Sequence, residues 1–166
     1  MTLIIVIAII AVIVFSIIGI YNNLVKLRNN RENAFADIDV QLKQRYDLVP
    51  QLVATVKGYA AHEKELLESI TAARSAAASA TSIDDKIKAD QQLTSALAGL
   101  KVSVEAYPDL KANQNFMELQ AQLEGTENRI AVERKNFNEA VKDYNTGLRR
   151  FPTNIVASMF GFDKKA

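Results

Sequence analysis

Cysteine and tryptophan are missing from this chain, and histidine occurs once, at His62. Without cysteine there is no disulfide framework, no thiol nucleophile and no zinc-finger or iron–sulfur site. A single histidine rules out a multi-histidine metal centre within one chain. Six glycines and three prolines in 166 residues leave little for glycine-rich phosphate loops or a turn-rich β architecture. An excess of one charge sign is missing too. Twenty basic side chains stand against 19 acidic ones, so the charge balance gives no reason to expect nucleic acid as a partner.

What is present is unevenly spread. Every Lys, Arg, Asp and Glu lies at or after Lys26, and Leu3 to Ile20 is apolar except for Ser16 and Gly19. As a helix that stretch rises about 27 Å, and uncharged flanks out to Val25 carry it past the ~30 Å hydrocarbon core of a bilayer. It is long for the apolar core of a signal peptide. It also lacks a basic start and a small-residue cleavage site. We therefore read residues 1–25 as one uncleaved transmembrane anchor; a cleaved signal and a buried core helix are the alternatives. Only Met1 and Thr2 precede the span, whereas Lys26, Arg28 and Arg31 follow it. The positive-inside tendency then puts the N-terminus outside and the rest of the chain in the cytoplasm.

Residues 26–150 read as an all-α domain. Phe116, Leu119, Leu123, Thr126, Ile130, Arg134, Phe137, Val141, Tyr144 and Leu148 recur at spacings of three and four, the seam of a long helix in a bundle. Leu24, Leu27, Arg31, Phe35, Ile38 and Leu42 form a stripe running straight on from the span. Leu52, Val56, Tyr59, Leu66, Ile70, Ala73 and Ala77 form another, with Glu63 in its gap. Ile83, Ile87, Leu93, Leu97, Leu100, Val104 and Tyr107 form the last. Asp47 and Pro50 predict a helix start. Ser82 with Asp85 resembles a capping box, Tyr107-Pro108 predicts a break, and Asn113 a further cap. Helices are thus expected at about 22–45, 48–79, 83–106 and 114–149. Short loops imply an antiparallel up-down-up-down four-helix bundle continuing from the span. Residues 151–166 predict a short apolar helix with a basic tail, back at the membrane side. Its Ile155, Val156, Met159, Phe160 and Phe162 would contact lipid, the base of the bundle or a neighbouring subunit, with Lys164 and Lys165 suited to anionic headgroups.

Signs of chemistry are few. His62-Glu63 lacks the second histidine four residues on that a metalloprotease helix needs, since residue 66 is Leu. Asp37 and Asp39 are two apart and point to different sides of a helix. Nucleotide and hydrolase fingerprints are absent. Polar groups do interrupt the seams, and buried polar groups must pair. This predicts a structural polar layer joining some of Arg31, Asp39, Glu63, Arg74, Glu127 and Arg134, setting helix register and oligomer specificity. A ligand or ion site and a catalytic site are the weaker alternatives. Gly125, in the middle of a long helix, suggests close approach of another helix.

The run Ile38-Asp39-Val40-Gln41-Leu42-Lys43-Gln44-Arg45-Tyr46-Asp47-Leu48-Val49-Pro50, then Leu52-Val53, Val56-Lys57-Gly58-Tyr59-Ala60 and His62-Glu63, resembles the LemA family of bacterial membrane proteins. So do Ala73-Arg74, Tyr107-Pro108-Asp109-Leu110-Lys111-Ala112, Leu123-Glu124-Gly125-Thr126-Glu127-Asn128-Arg129-Ile130, Tyr144-Asn145 and Phe151-Pro152. Gln51 is a departure, where many relatives carry Asn. The resemblance implies a single-span membrane protein with a helical-bundle domain. It implies no known enzymatic activity and offers no catalytic residue to carry over; a non-enzymatic protein with no cofactor and no metal is expected. The expectation is a self-associating, homo-oligomeric scaffold of the bacterial cytoplasmic membrane, with the bilayer as partner. The alternative is an adaptor that recruits or regulates another membrane protein such as a protease.

Overall fold

From Leu24 to Val56 apolar residues recur at intervals of three and four, and they form one helix. In the computed structural model, which describes residues 1–60 and 63–164, α1 runs Thr2–Lys57 without interruption. His62 and Lys165 lie outside the described residues. The break expected around Asp47–Pro50 is therefore absent. Proline has no N–H, so Pro50 leaves the carbonyl four residues back, that of Tyr46, without its helical donor. Arg74 Nε donates to that oxygen at 3.2 Å. A side chain from another helix fills the gap, and the apolar stripe of Leu42, Tyr46, Val49, Leu52 and Val56 stays continuous and buried. The helix ends instead at Lys57, just before Gly58.

Every regular element among the described residues is helical. The others are α2 (Lys64–Ser79), α3 (Ile83–Ser103), a 3₁₀ turn (Val104–Ala106), the one-turn α4 (Pro108–Lys111), α5 (Gln114–Arg149) and α6 (Thr153–Met159). Their starts have a chemical cause. Ser82 Oγ accepts from the Asp85 N–H at 3.1 Å. Asn113 Oδ1 accepts from the Phe116 N–H at 2.9 Å. Each satisfies one orphan donor of a helix N-terminus. Pro108 sits at the start of α4, where its missing N–H costs nothing.

The α5 seam turns inward. Phe116, Leu119, Leu123, Thr126, Ile130, Phe137 and Tyr144 are buried. Thr126 is accommodated because its hydroxyl donates to the Leu123 carbonyl of its own helix at 2.8 Å. Gly125 does not mark a close approach: a Cβ there would meet nothing within 4 Å. The tight glycine is Gly147, whose Cβ would lie 2.8 Å from Leu27 Cδ1.

Two compact units divide the chain, Met1–Ile38 with Val132–Ala166, and Asp39–Ala131. In the first, Leu27 faces Gly147, Arg31 lies over the Tyr144 ring at 5.3 Å, and the Phe35 and Phe137 rings are 6.0 Å apart. As numbers rise along α1 they fall along α5. The most apolar 18-residue window of α1 has none of its residues buried, so it is not a core helix of this fold. It is the one helix among the described residues long and apolar enough to cross a membrane. In the second unit α2 and α3 pack together, with Gly99 against Leu66. Leu67, Ile70, Leu93, Leu100 and Leu110 close its core beside the stripes of α1 and α5. Burial of each large side chain there is worth about 1.5–3 kcal/mol.

Candidate functional site

Arg45 sits on the buried face of α1 between Leu42 and Val49, with 1% of its side chain exposed. A guanidinium in such a place must be paired. Arg45 Nη1 donates to Asp90 Oδ1 at 2.9 Å, and Asp90, on α3, is only 9% exposed. Arg45 Nη2 lies 3.5 Å from Glu127 Oε2 on α5, but Glu127 is 52% exposed. The geometry is therefore asymmetric: one short, dry contact and one longer, wet one. Asp90 fills the gap between Ile87 and Leu93 in the α3 stripe, so it occupies a seam position as Arg45 does.

Beside this pair lies an apolar cavity of about 180 Å³. Leu52, Leu97, Leu100, Phe116 and Leu123 line it, and Arg45 and Glu127 contribute to its wall. At its rim Lys101 Nζ donates to Glu124 Oε1 at 2.9 Å. That hydrogen bond raises the Lys101 pKa and lowers that of Glu124. Both groups are exposed, so the pair adds little to stability.

On the same stretch of α1, Gln41 Oε1, Arg45 Nε and the Tyr46 hydroxyl are buried with no hydrogen-bond partner among the described residues. Burial lifts the Tyr46 phenol to about 12, and the negative charge of Asp90 adds to the effect.

The six candidates, some of which were expected to join in one polar layer, make separate contacts. Asp39 pairs with Lys86. Glu63 accepts from the Tyr107 hydroxyl at 3.1 Å, and this bond, more than burial, raises the Tyr107 pKa. Arg74 serves the Tyr46 carbonyl, and Glu127 reaches Arg45. Arg31 and Arg134 belong to the other unit, where Arg31 stacks on Tyr144 and Arg134 is half-buried on α5. No two of the six share a hydrogen bond or ion pair among the described residues. The residues missed were Arg45 and Asp90. The signal was available in the heptad-like spacing, where each is a charged residue standing between two apolar seam positions.

The tail residues divide by face. Val156 is buried, and Ile155, Met159 and Phe160 are exposed. Phe160 and Phe162 both meet the Tyr21 ring edge-on, at 5.0 and 5.7 Å.

Comparison with known proteins matches the LemA family model over residues 34–166. The chain belongs to the LemA family. Protein LemA of Metamycoplasma hominis is 29% identical over 152 residues, covering 89% of this chain and 68% of that protein. Magnetosome protein MamQ 2 of Paramagnetospirillum magneticum is 32% identical over 76 residues, 46% of this chain. Magnetosome protein MamQ of Magnetospirillum gryphiswaldense is 30% identical over the same length. The matched region spans 28% of the length of each of these MamQ proteins. The LemA match takes in Arg45, Asp90 and Glu127, and it begins after the apolar run of α1. That run and the company of these relatives fit a membrane-associated LemA-type protein.

Proposed function

We propose that this LemA-family chain is a non-enzymatic, membrane-anchored scaffold that self-associates. The observation that carries the reading is α1, in which an uncharged apolar run and the folded helical part share one unbroken helix. Such a chain has no flexible tether, as a scaffold requires. The pairings of α1 with α5, and of α2 with α3, support an antiparallel up-down-up-down arrangement of the four long helices. The charged core supports a structural use: Arg45 spends its Nη groups on Asp90 and Glu127. The polar contacts of the helices would then set register and choice of partner. Val40, Val102 and Met117 are exposed apolar side chains outside the span and are candidates for lateral contact. Confinement to a membrane plane raises the effective concentration of copies, so weak contacts of this kind become productive.

The span is assigned to the bacterial cytoplasmic membrane as a single pass. Lys26, Arg28 and Arg31 at its exit favour a cytoplasmic domain and an external N-terminus. The chain lacks cysteine, so a single Val102→Cys variant gives an unambiguous crosslinking assay in native membranes. Crosslinked dimers or higher species, with an oligomer by light scattering in detergent, are expected. A monomer by scattering with no crosslink from Val40→Cys, Val102→Cys or Met117→Cys removes the scaffold reading. Recovery of one other membrane protein in place of self-crosslinks favours an adaptor.

A further inference from the structure

We propose that α6 and its flanks form an interfacial foot that docks on the bilayer surface and prefers anionic lipid headgroups. The inference rests on the reading of Leu3–Ile20 as a span.

The foot has a fixed height. Phe160 and Phe162 pack on Tyr21, the residue that follows the apolar run. The Tyr144 hydroxyl donates to the Asp163 carbonyl at 3.1 Å, and Val156 and Ala157 are buried. These contacts hold one face of α6 inward. The opposite face then points away, and Ile155 and Met159, one turn apart, lie on it. Met159 is 67% exposed and the neighbouring Phe151 81%. Large apolar side chains gathered level with the end of a span are at the depth of the headgroup boundary, where such a surface gains from burial.

The charges around the foot complement an anionic surface. Lys26 lies about 9 Å along the helix from Ile20, within headgroup depth. Gly147 packs at the level of Leu27, so the exposed Arg149 and Arg150 fall about 3–5 Å nearer the span. Lys164 follows the foot. Against these stand Glu32, which Arg28 engages at 3.0 Å, Asp143, about one turn farther along α5 from the span than Gly147, and Asp163. The excess is basic, and basic residues near an anionic surface add to binding roughly one by one.

The competing occupant of this face is a second copy of the chain. A spin-label depth measurement on the full-length protein in nanodiscs separates the two. Labels would be placed at Met159→Cys and, to report the span, at Ile10→Cys. The discs would contain phosphatidylcholine alone or mixed with phosphatidylglycerol. The Met159 label is expected at interfacial depth in the mixed discs, with more oxygen than nickel-reagent collisions. The Arg149→Ala/Arg150→Ala pair should raise its nickel collisions by about fivefold or more. Water-like accessibility at Met159 in the mixed discs overturns the foot. So does shielding from both reagents, which signals a second copy. Equal depth in both lipids, unmoved by the arginine variant, overturns the anionic preference. A water-accessible Ile10 label defeats the span itself and is distinguishable from all of these.

Discussion

The junction of Pro50 and Arg74 allows a quantitative test of how α1 survives its proline. Arg74→Met removes the donor to the Tyr46 carbonyl while keeping most of the aliphatic volume. The Tyr46 side chain is buried and Arg74 is half-buried, so water reaches the freed oxygen in part. A hydrogen bond from a charged donor contributes about 1.5–3 kcal/mol, and the loss is expected near the lower end, about 1.5 kcal/mol. Pro50→Ala supplies the missing N–H from within the helix. In that background Arg74→Met should cost less than about 0.5 kcal/mol, a coupling of about 1 kcal/mol across the double-mutant cycle. Pro50→Ala alone should stabilise by less than the ~3 kcal/mol separating Pro from Ala in an isolated helix, because its lost acceptor is already served. Urea unfolding of the four proteins in detergent, followed by circular dichroism at the helical band, reads all of these. Equal costs of Arg74→Met in the two backgrounds would refute the reasoning.

Asp90→Ala strands a buried guanidinium and should cost about 3–5 kcal/mol, whereas Glu127→Ala should cost at most ~1 kcal/mol; comparable losses in urea melts would contradict the asymmetry. Arg45→Met with Asp90→Leu should recover most of the Asp90→Ala loss. The folded state keeps the Tyr46 proton up to about 12, whereas an unfolded phenol releases it near 10. Stability from this group is thus complete below about pH 10 and lost on rising towards 12. Tyr46→Phe should flatten that part of a stability–pH curve and remove the absorbance change of a late-titrating tyrosine. Gly125→Ala, in open space, should raise stability by about 1 kcal/mol. Gly147→Ala should gain less, since its Cβ must displace Leu27 Cδ1, and equal melting-temperature gains would show that contact to be immaterial.

Periodicity made the α5 seam legible, because a long amphipathic helix repeats its pattern often enough to identify its buried face. The caps at Ser82 and Asn113 were legible because their chemistry is local. The boundary at Pro50 was not, since the donor that repairs it comes from Arg74, on α2. Gly125 misled for a related reason: propensity gives the cost of a glycine but not which helix stands opposite it. Arg31, Glu63 and Arg134 break apolar stripes, Asp39, Arg74 and Glu127 stand next to stripe residues, and the structure gives the six separate contacts. Arg45 and Asp90 also stand between apolar seam positions. Neither stripe marks them by itself, because Arg45 falls after the stripe that ends at Leu42 and Asp90 falls in the six-residue step from Ile87 to Leu93.

The pairing of Leu27 with Gly147 and of Phe35 with Phe137 has a consequence for biosynthesis. The first helix to leave the ribosome meets its partner in this unit only when the last long helix has been made. The α2–α3 pair joins neighbours in sequence and can form early, at low loop-closure cost. The α1 face carrying Leu24, Phe35 and Ile38 has no such partner close in the chain, and unpartnered apolar surface invites aggregation. Early insertion of the apolar run into a membrane would hold the nascent chain at a surface while it waits for α5.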